Sequence, residues 1–265
     1  MAKPTRPGEL LPQERQREIL QRLRSRGRVV AAELAAELAA SEDSIRRDLR
    51  ELAAQGLCKR VYGGALPLSA AVAPLKQRRG EQVGRKLALA RKAVSLVRPG
   101  QVLLIDAGST NAAIAATLPE RLGLTVVTNA PDIALALIER EGFEILLLGG
   151  RIDPRIGGAV GAQTLQELQR VRADLCFPGA CAIDAGTGLW GFDSEESLLK
   201  RAMVEASGET VVVATSDKLG TLATHRIARI EEVQHLVLEH AVGRQARAAF
   251  SARGVSVHRA EPTAD

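Results

Sequence analysis

From Glu81 onward, short apolar runs recur between stretches of helical spacing: Val102 to Ile105, Thr125 to Thr128, Glu144 to Leu148, Asp174 to Phe177, Thr210 to Ala214 and Leu236 to Leu238. Runs that are apolar throughout, rather than alternating, belong to strands buried on both faces, and the helical stretches between them supply the covers. That alternation predicts an α/β domain over residues 81–265, with a mostly parallel sheet and helices on both sides. A chain of 265 residues exceeds what one core comfortably fills, because single cores stop growing near ~250 residues, so two domains are expected.

The other domain lies at the amino end. Ile19, Leu20 and Leu23 share one face of a helix from Glu14 to Ser25, with Gly27 just past its end. Leu34 and Leu38 repeat the pattern over Ala31 to Ala39 after a bridge through Val29 and Val30. Ser41 can cap a third helix that runs to about Gln55 and stops at Gly56, with Glu42 and Asp43 favoured by the helix dipole. Two short amphipathic helices joined by so tight a turn form a helix-turn-helix. A basic extended run from Leu57 to Leu66, turning at Gly63 and Gly64, makes a wing. The boundaries expected are a tail over 1–13, a winged helix-turn-helix over 14–66, a linker over 67–80, and the α/β domain over 81–265.

Charge separates the same regions. Residues 1–80 carry 16 Lys and Arg against 9 Asp and Glu, whereas residues 81–265 carry 20 against 22. A basic head on a near-neutral body is the footprint of a phosphate-binding head, although surplus surface arginines give the same count. The third helix adds shape to charge, because Ile45, Leu49 and Leu52 form its apolar stripe and leave Ser44, Arg46, Arg47 and Arg50 on the polar side. A helix fits the major groove, where Arg pairs with guanine and other basic groups neutralise phosphates. The candidate DNA contacts are Ser41, Ser44, Arg46, Arg47 and Arg50 on the helix and Lys59, Arg60, Tyr62 and Gly63 on the wing. The alternative for an isolated helix is a solvated face whose arginines pair with Asp48 and Glu51. Aromatic residues make up 2% of the chain, which disfavours recognition of single strands by stacking, so duplex DNA is the expected partner.

In the second domain, Asp106, Ala107, Gly108, Ser109 and Thr110 follow an apolar strand and precede a helix. A small-residue turn there exposes amides at a helix N-terminus, where a phosphate is stabilised; the alternative is a turn with no ligand. Thr128 and Asn129, Gly150 and Arg151 follow later strands, and Lys200 and Lys218 add cations. Ligands of open α/β sheets bind outside the carboxyl ends of the strands, so these eleven residues are the candidate site for one anionic molecule.

Both halves resemble the DeoR family of bacterial regulators. The resemblance rests on Arg15, Ile19 and Leu23, a gap of 17 residues, then Ser41-Glu-Asp-Ser-Ile-Arg-Arg-Asp-Leu49, with Arg60-Val-Tyr-Gly-Gly-Ala65 as the wing. Ser44 stands where the family usually has Thr, and Tyr62 where His is frequent. Asp106-Ala-Gly-Ser-Thr110, Thr128-Asn129, Leu148-Gly-Gly-Arg151, Val160-Gly161 and Leu199-Lys-Arg-Ala-Met203 extend it over about Glu81 to Glu239. The resemblance implies a fold similar to sugar-phosphate isomerases, a phosphorylated sugar or related metabolite as effector, a homo-oligomer (dimer or tetramer), and repression of sugar-metabolism genes. Two departures concern the effector: Cys181 replaces an acid in Gly179-Ala-Cys-Ala-Ile-Asp184, and Thr215 replaces an Asp.

A competing class is a sugar-phosphate isomerase with an accessory helical head. Its acids would come from Asp106, Asp184, Asp193, Glu195 and Glu196, which form no diagnostic catalytic pair, so no catalytic residue is expected. A third class is a metabolite-binding module that recruits a protein through its basic head. The three cysteines lack metal or disulfide spacing, nothing adjacent to Cys181 is basic enough to predict a thiolate, and the four histidines are scattered, so neither metal nor cofactor is expected. No apolar run reaches the ~18 residues of a membrane span and the amino end lacks an apolar signal core, so the expected location is the cytoplasm.

Overall fold

The apolar spacing near the amino end is satisfied by three helices closed with a small sheet. A computed structural model describes residues 10–26, 29–55, 57–61, 63–67, 75–221 and 223–262. The chain divides into one unit of residues 1–69 and another of residues 70–265. The first contains α1 (Pro12–Arg26), β1 (Val29–Val30), α2 (Ala31–Glu37), α3 (Glu42–Ala54), β2 (Cys58–Val61) and β3 (Gly64–Pro67). Ile19, Leu23, Leu34, Leu38, Ile45, Leu49 and Leu52 meet in its core, while Leu20 is only partly buried against it. Helix α1 starts inside the segment expected as tail. Pro12 suits a first helical position, and the Glu14 carboxylate accepts from the Leu11 amide at 3.0 Å. Ala39, left-handed at φ 48°, turns the chain between α2 and α3.

Val29 and Val30 are more than a bridge, because they pair antiparallel with Ala65 and Gly64 to give a sheet of order β1-β3-β2. A Cβ on Gly64 would sit 1.9 Å from the Val29 carbonyl oxygen, so only glycine allows that approach.

The second unit contains α4 (Leu75–Gly80), α5 (Val83–Val94), β4 (Val102–Ile105), α6 (Ser109–Thr117), β5 (Leu124–Thr128), α7 (Pro131–Ile138), β6 (Phe143–Leu147), β7 (Arg151–Asp153), β8 (Gly158–Val160), α8 (Ala162–Leu168) and β9 (Ala173–Phe177). It continues with β10 (Ala182–Asp184), β11 (Gly188–Gly191), α9 (Ser194–Glu205), β12 (Ser207–Ala214), β13 (His225–Ala228), β14 (His235–Leu238), α10 (Arg244–Ser251) and β15 (Ser256–Arg259). Seven of these strands form one parallel sheet of order β15-β14-β12-β9-β4-β5-β6. Leu103 and Ile105 of β4 pack with α5, α6 and α7, whereas Leu104 faces Leu168, Leu199 and Met203 of α8 and α9. That two-sided burial is why β4 reads as an unbroken apolar run, whereas β6 at the sheet edge leaves Leu146 and Leu147 exposed.

The runs also concealed some structure. The hairpin β7-β8 and the antiparallel sheet β10-β11-β13 are short and glycine-bearing, and they carry no such signal. Part of the segment expected as linker is α4, whose Leu75 is buried and whose Leu75 amide donates to the Arg155 carbonyl at 3.0 Å. Tertiary contact stabilises a helix too short to be legible from periodicity. Residues 68–74 of the expected linker and 1–9 of the expected tail lie outside the described residues.

Candidate nucleic-acid interface and anion site

Helix α3 is capped as its first residues dictate: the Ser41 hydroxyl accepts from the Ser44 amide at 3.1 Å, and the two hydroxyls lie 2.8 Å apart. Its apolar stripe faces the core, which leaves Arg46, Arg47 and Arg50 exposed on one side. Arg46 pairs with Glu42 at 2.6 Å across one helical turn, and the Arg50 guanidinium donates to the Arg46 carbonyl at 3.3 Å. Asp48 is not a partner of these arginines. It is buried and accepts from Arg15 of α1, while Gln16 engages Asp48 and Glu51. Asp48 is thus turned into the core and exposed Glu51 is engaged by Gln16, so of the acids near this face it is Glu42 that balances an arginine, Arg46. On the wing, Arg60 is exposed and Gly63 adopts φ 78°. The Lys59 side chain and Tyr62 lie outside the described residues.

The sheet reverses direction between β4 and β9, because the chain winds outward one way through β5 and β6 and the other way through β12, β14 and β15. Two strands leaving such a point in opposite directions open a crevice at their carboxyl ends. A cavity lies there. The turn after β4 lines it with Ala107, Gly108, Ser109, Thr110 and Asn111; the segment after β9 with Gly179, Ala180 and Cys181. Glu196 and Lys200 of α9, Lys218 after β12, Arg155 and Ile156 of the β7-β8 hairpin, Phe192, Val213 and Arg78 of α4 complete the lining. Gly108 precedes α6 without a capping side chain, so the first amides of this helix face the crevice with the positive end of its dipole.

Buried ion pairs set the floor. Lys200 is 1% exposed; its ammonium lies 3.4 Å from the Asp106 carboxylate and 3.8 Å from the Cys181 sulfur, and it donates to Glu196. Burial opposes its charge, but Cys181, Glu196 and Asp106 more than offset this and hold it above the ordinary lysine value. Burial pushes the Asp106 carboxyl upward against the pull of Lys200, and the Gly179 amide donates to that carboxyl at 2.8 Å. The Cys181 thiol is pushed up by burial as well, despite the lysine beside it. Half-buried Lys218 is pushed down by burial, which outweighs the opposing pull of Cys181 and Asp217; Arg78 and Lys200 add smaller downward contributions. A cation desolvated beside the open amides of a helix N-terminus favours an anion there.

Of the eleven residues expected here, Ala107, Gly108, Ser109, Thr110, Lys200 and Lys218 line the cavity and Asp106 lies beneath it. Thr128, Asn129, Gly150 and Arg151 are not among the lining residues. Thr128 and Asn129 are buried braces: the Asn129 carboxamide accepts from the Ala107 amide at 3.0 Å and donates to the Ala159 carbonyl at 3.0 Å, and Thr128 accepts from the Ala130 amide. Gly150 packs against the Thr164 hydroxyl, and exposed Arg151 pairs with Glu195 at 2.6 Å. Arg78, Asn111, Arg155 and Glu196 line the cavity as well and are not among the expected residues. The Lys76, Arg78, Arg79 cluster was the available signal for Arg78, but it falls in a segment without periodicity.

Among the described residues no helix is long and apolar enough to cross a membrane, and no cluster of three or more His, Cys, Asp or Glu could hold a metal. The DeoR-like helix-turn-helix domain matches residues 15–70, and the DeoR C terminal sensor domain matches residues 81–240. Over 221 residues the chain is 35% identical to a glycerol-3-phosphate regulon repressor of Escherichia coli strain K12, covering 83% of this chain and 88% of that one. It is 34% identical over 251 residues to the HTH-type transcriptional regulator GlpR of Haloferax volcanii, covering 94% and 98%. A solved ribose 5-phosphate isomerase A from Methanocaldococcus jannaschii is similar over 52% of this chain and 55% of that one, at 18% identity and a TM-score of 0.37. With one family domain matching each half and whole-length relatives above 30% identity, the chain belongs to the DeoR family of transcriptional regulators.

Proposed function

We propose that this protein represses genes of sugar or polyol-phosphate metabolism by binding duplex operator DNA, and that a phosphorylated sugar or related metabolite in the cavity changes its grip. The observation that carries the reading is the set of uncapped α6 amides sharing one crevice with Lys200 and Lys218, in a chain whose α3 presents exposed arginines. Arg46, Arg47 and Arg50 would contact bases and phosphates, with the wing residues Lys59, Arg60, Tyr62 and Gly63 alongside. The protein would act as a homo-oligomer on repeated half-sites. Sensing is favoured over turnover because Asp106 and Glu196, the acids closest to the cavity, are both engaged by Lys200 rather than left to move substrate protons.

The test is selection of bound genomic DNA, followed by titration of the complex with glycerol 3-phosphate and pentose and hexose phosphates. One phosphate ester is expected to change DNA affinity about 5- to 150-fold, the range of ordinary allosteric coupling, without being consumed. Ser109→Asp, which places an anion at the α6 turn, is expected to abolish that response. Failure to enrich any sequence, or conversion of the ester, would overturn the reading.

A further inference from the structure

The seven-stranded sheet ends on two unlike edges. At one end β15 carries Ser256, His258 and Arg259, polar and charged residues of the kind that discourage a further strand. At the other end β6 reads Phe-Glu-Ile-Leu-Leu, with Glu144 its one charge and neither proline nor a register shift against β5. Leu146 and Leu147 stay 48% and 49% exposed there, and among the described residues no strand pairs with the outer side of β6.

The hydrogen-bonding row of that side is fixed by the ladder with β5. The Leu124 amide donates to the Gly142 carbonyl at 3.1 Å and the Leu148 amide to the Thr128 carbonyl at 2.8 Å. Alternate residues of a parallel strand turn both backbone groups to the same neighbour, so Glu144 and Leu146 bond to β5 while Phe143, Ile145 and Leu147 direct amide and carbonyl outward. This row is complementary to its own two-fold copy. A second β6 laid antiparallel with Ile145 on the axis sets Ile145 opposite Ile145 and Phe143 opposite Leu147, each pair exchanging both bonds. Centring on Phe143 or Leu147 leaves part of the row unpaired, and a slip by one residue offers groups that β5 already uses.

The side chains agree with that register. Phe143 and Ile145 pack on the core beneath α5, α6 and α7, and Leu147 falls on the same face by alternation, so the cross-strand pairs on this face are apolar. Helix α7 belongs to the same face and leaves Leu135 and Ile138, one turn apart, 69% and 68% exposed. Pairing through β6 brings two copies of α7 to one side of the joined sheet. That sheet then ends on β15 at both edges, which closes the assembly at two chains.

We propose that a second copy of this chain docks on β6, joining two sensor sheets into one continuous sheet about a two-fold axis at Ile145. The proposal stands apart from the effector reading, because no residue lining the cavity lies on β6.

Sedimentation of the full-length protein at micromolar concentration, with hydrogen exchange read amide by amide, tests it. The parent is expected to sediment as a dimer or an even multiple, with slow exchange at all five amides from 143 to 147. Leu147→Lys, which sets a charge on the exposed edge, is expected to raise the dissociation constant of the sensor pair about 100-fold. Amides 143, 145 and 147 should then exchange fast while 144 and 146, held by β5, stay slow. Ser256→Lys, on the opposite edge, should match the parent in mass and exchange. A monomeric parent, an oligomer whose amides 143, 145 and 147 exchange fast, or a Leu147→Lys variant with parental mass and exchange would overturn the proposal. An unfolded variant shows itself by fast exchange at 144 and 146 too, and the parent pattern then decides.

Discussion

Arg15 and Arg47 both belong to the basic head, yet burial gives them opposite tasks. Arg15 is spent on Asp48 inside the core, whereas Arg47 stands in solvent on α3. Arg15→Ala strands a buried carboxylate and should destabilise the head by about 3–5 kcal/mol in thermal melting. Arg47→Ala should leave the melt unchanged but weaken operator binding by about 1–3 kcal/mol in a titration. Glu232 provides a pH test in the second unit. The Arg201 guanidinium, 2.7 Å away, and the Arg229 amide hold its carboxyl down to about 2 from 4.5. A folded value below the unfolded one stabilises the protein above the unfolded value, and that contribution is lost as pH falls through the folded value. Melting temperature should therefore drop between about pH 5 and 2, with a smaller drop in Glu232→Gln. The identities of these residues were plain in the sequence, but which arginine is buried was not. Cys181 makes the same point: nothing basic adjoins it along the chain, yet the fold sets the Lys200 ammonium 3.8 Å from its sulfur.

The elements of the head were legible because each satisfies a local rule: the Ser41 cap, the Leu34 and Leu38 spacing, the glycine turn of the wing. The element that escaped, β1, has two residues and exists only because β3 lies beside it. Gly64→Ala tests that dependence. The added methyl meets a backbone carbonyl that cannot swing aside, so β1 and β3 must separate at a cost of about 1–3 kcal/mol. DNA affinity should fall with it, while phosphate binding by the sensor stays at the parental value in calorimetry. Helix α4 escaped for a related reason, since six residues do not hold a helix without Leu75 seated on Gly157.

The whole chain carries separate hydrophobic cores, one in residues 1–69 and others in residues 70–265. Leu34→Ala, which empties a fully packed site in the head, should cost about 2–5 kcal/mol there and abolish operator binding. Phosphate binding measured on the same variant should survive, and its loss would mean that the two units do not stand on their own cores. By itself the sequence determined the division into a basic head and an α/β body, the exposed arginine face of α3 and the parallel sheet. Each of these is written in the spacing of neighbouring residues, which records the side of an element that leaves water. Only the tertiary structure decided the cavity. Its parts come from strand ends far apart in the chain, such as Asp106 and Gly179, 73 residues apart and joined by one hydrogen bond. No local period connects Arg78, Arg155, Lys200 and Lys218; they meet because the sheet reverses between β4 and β9 and opens a crevice at that point.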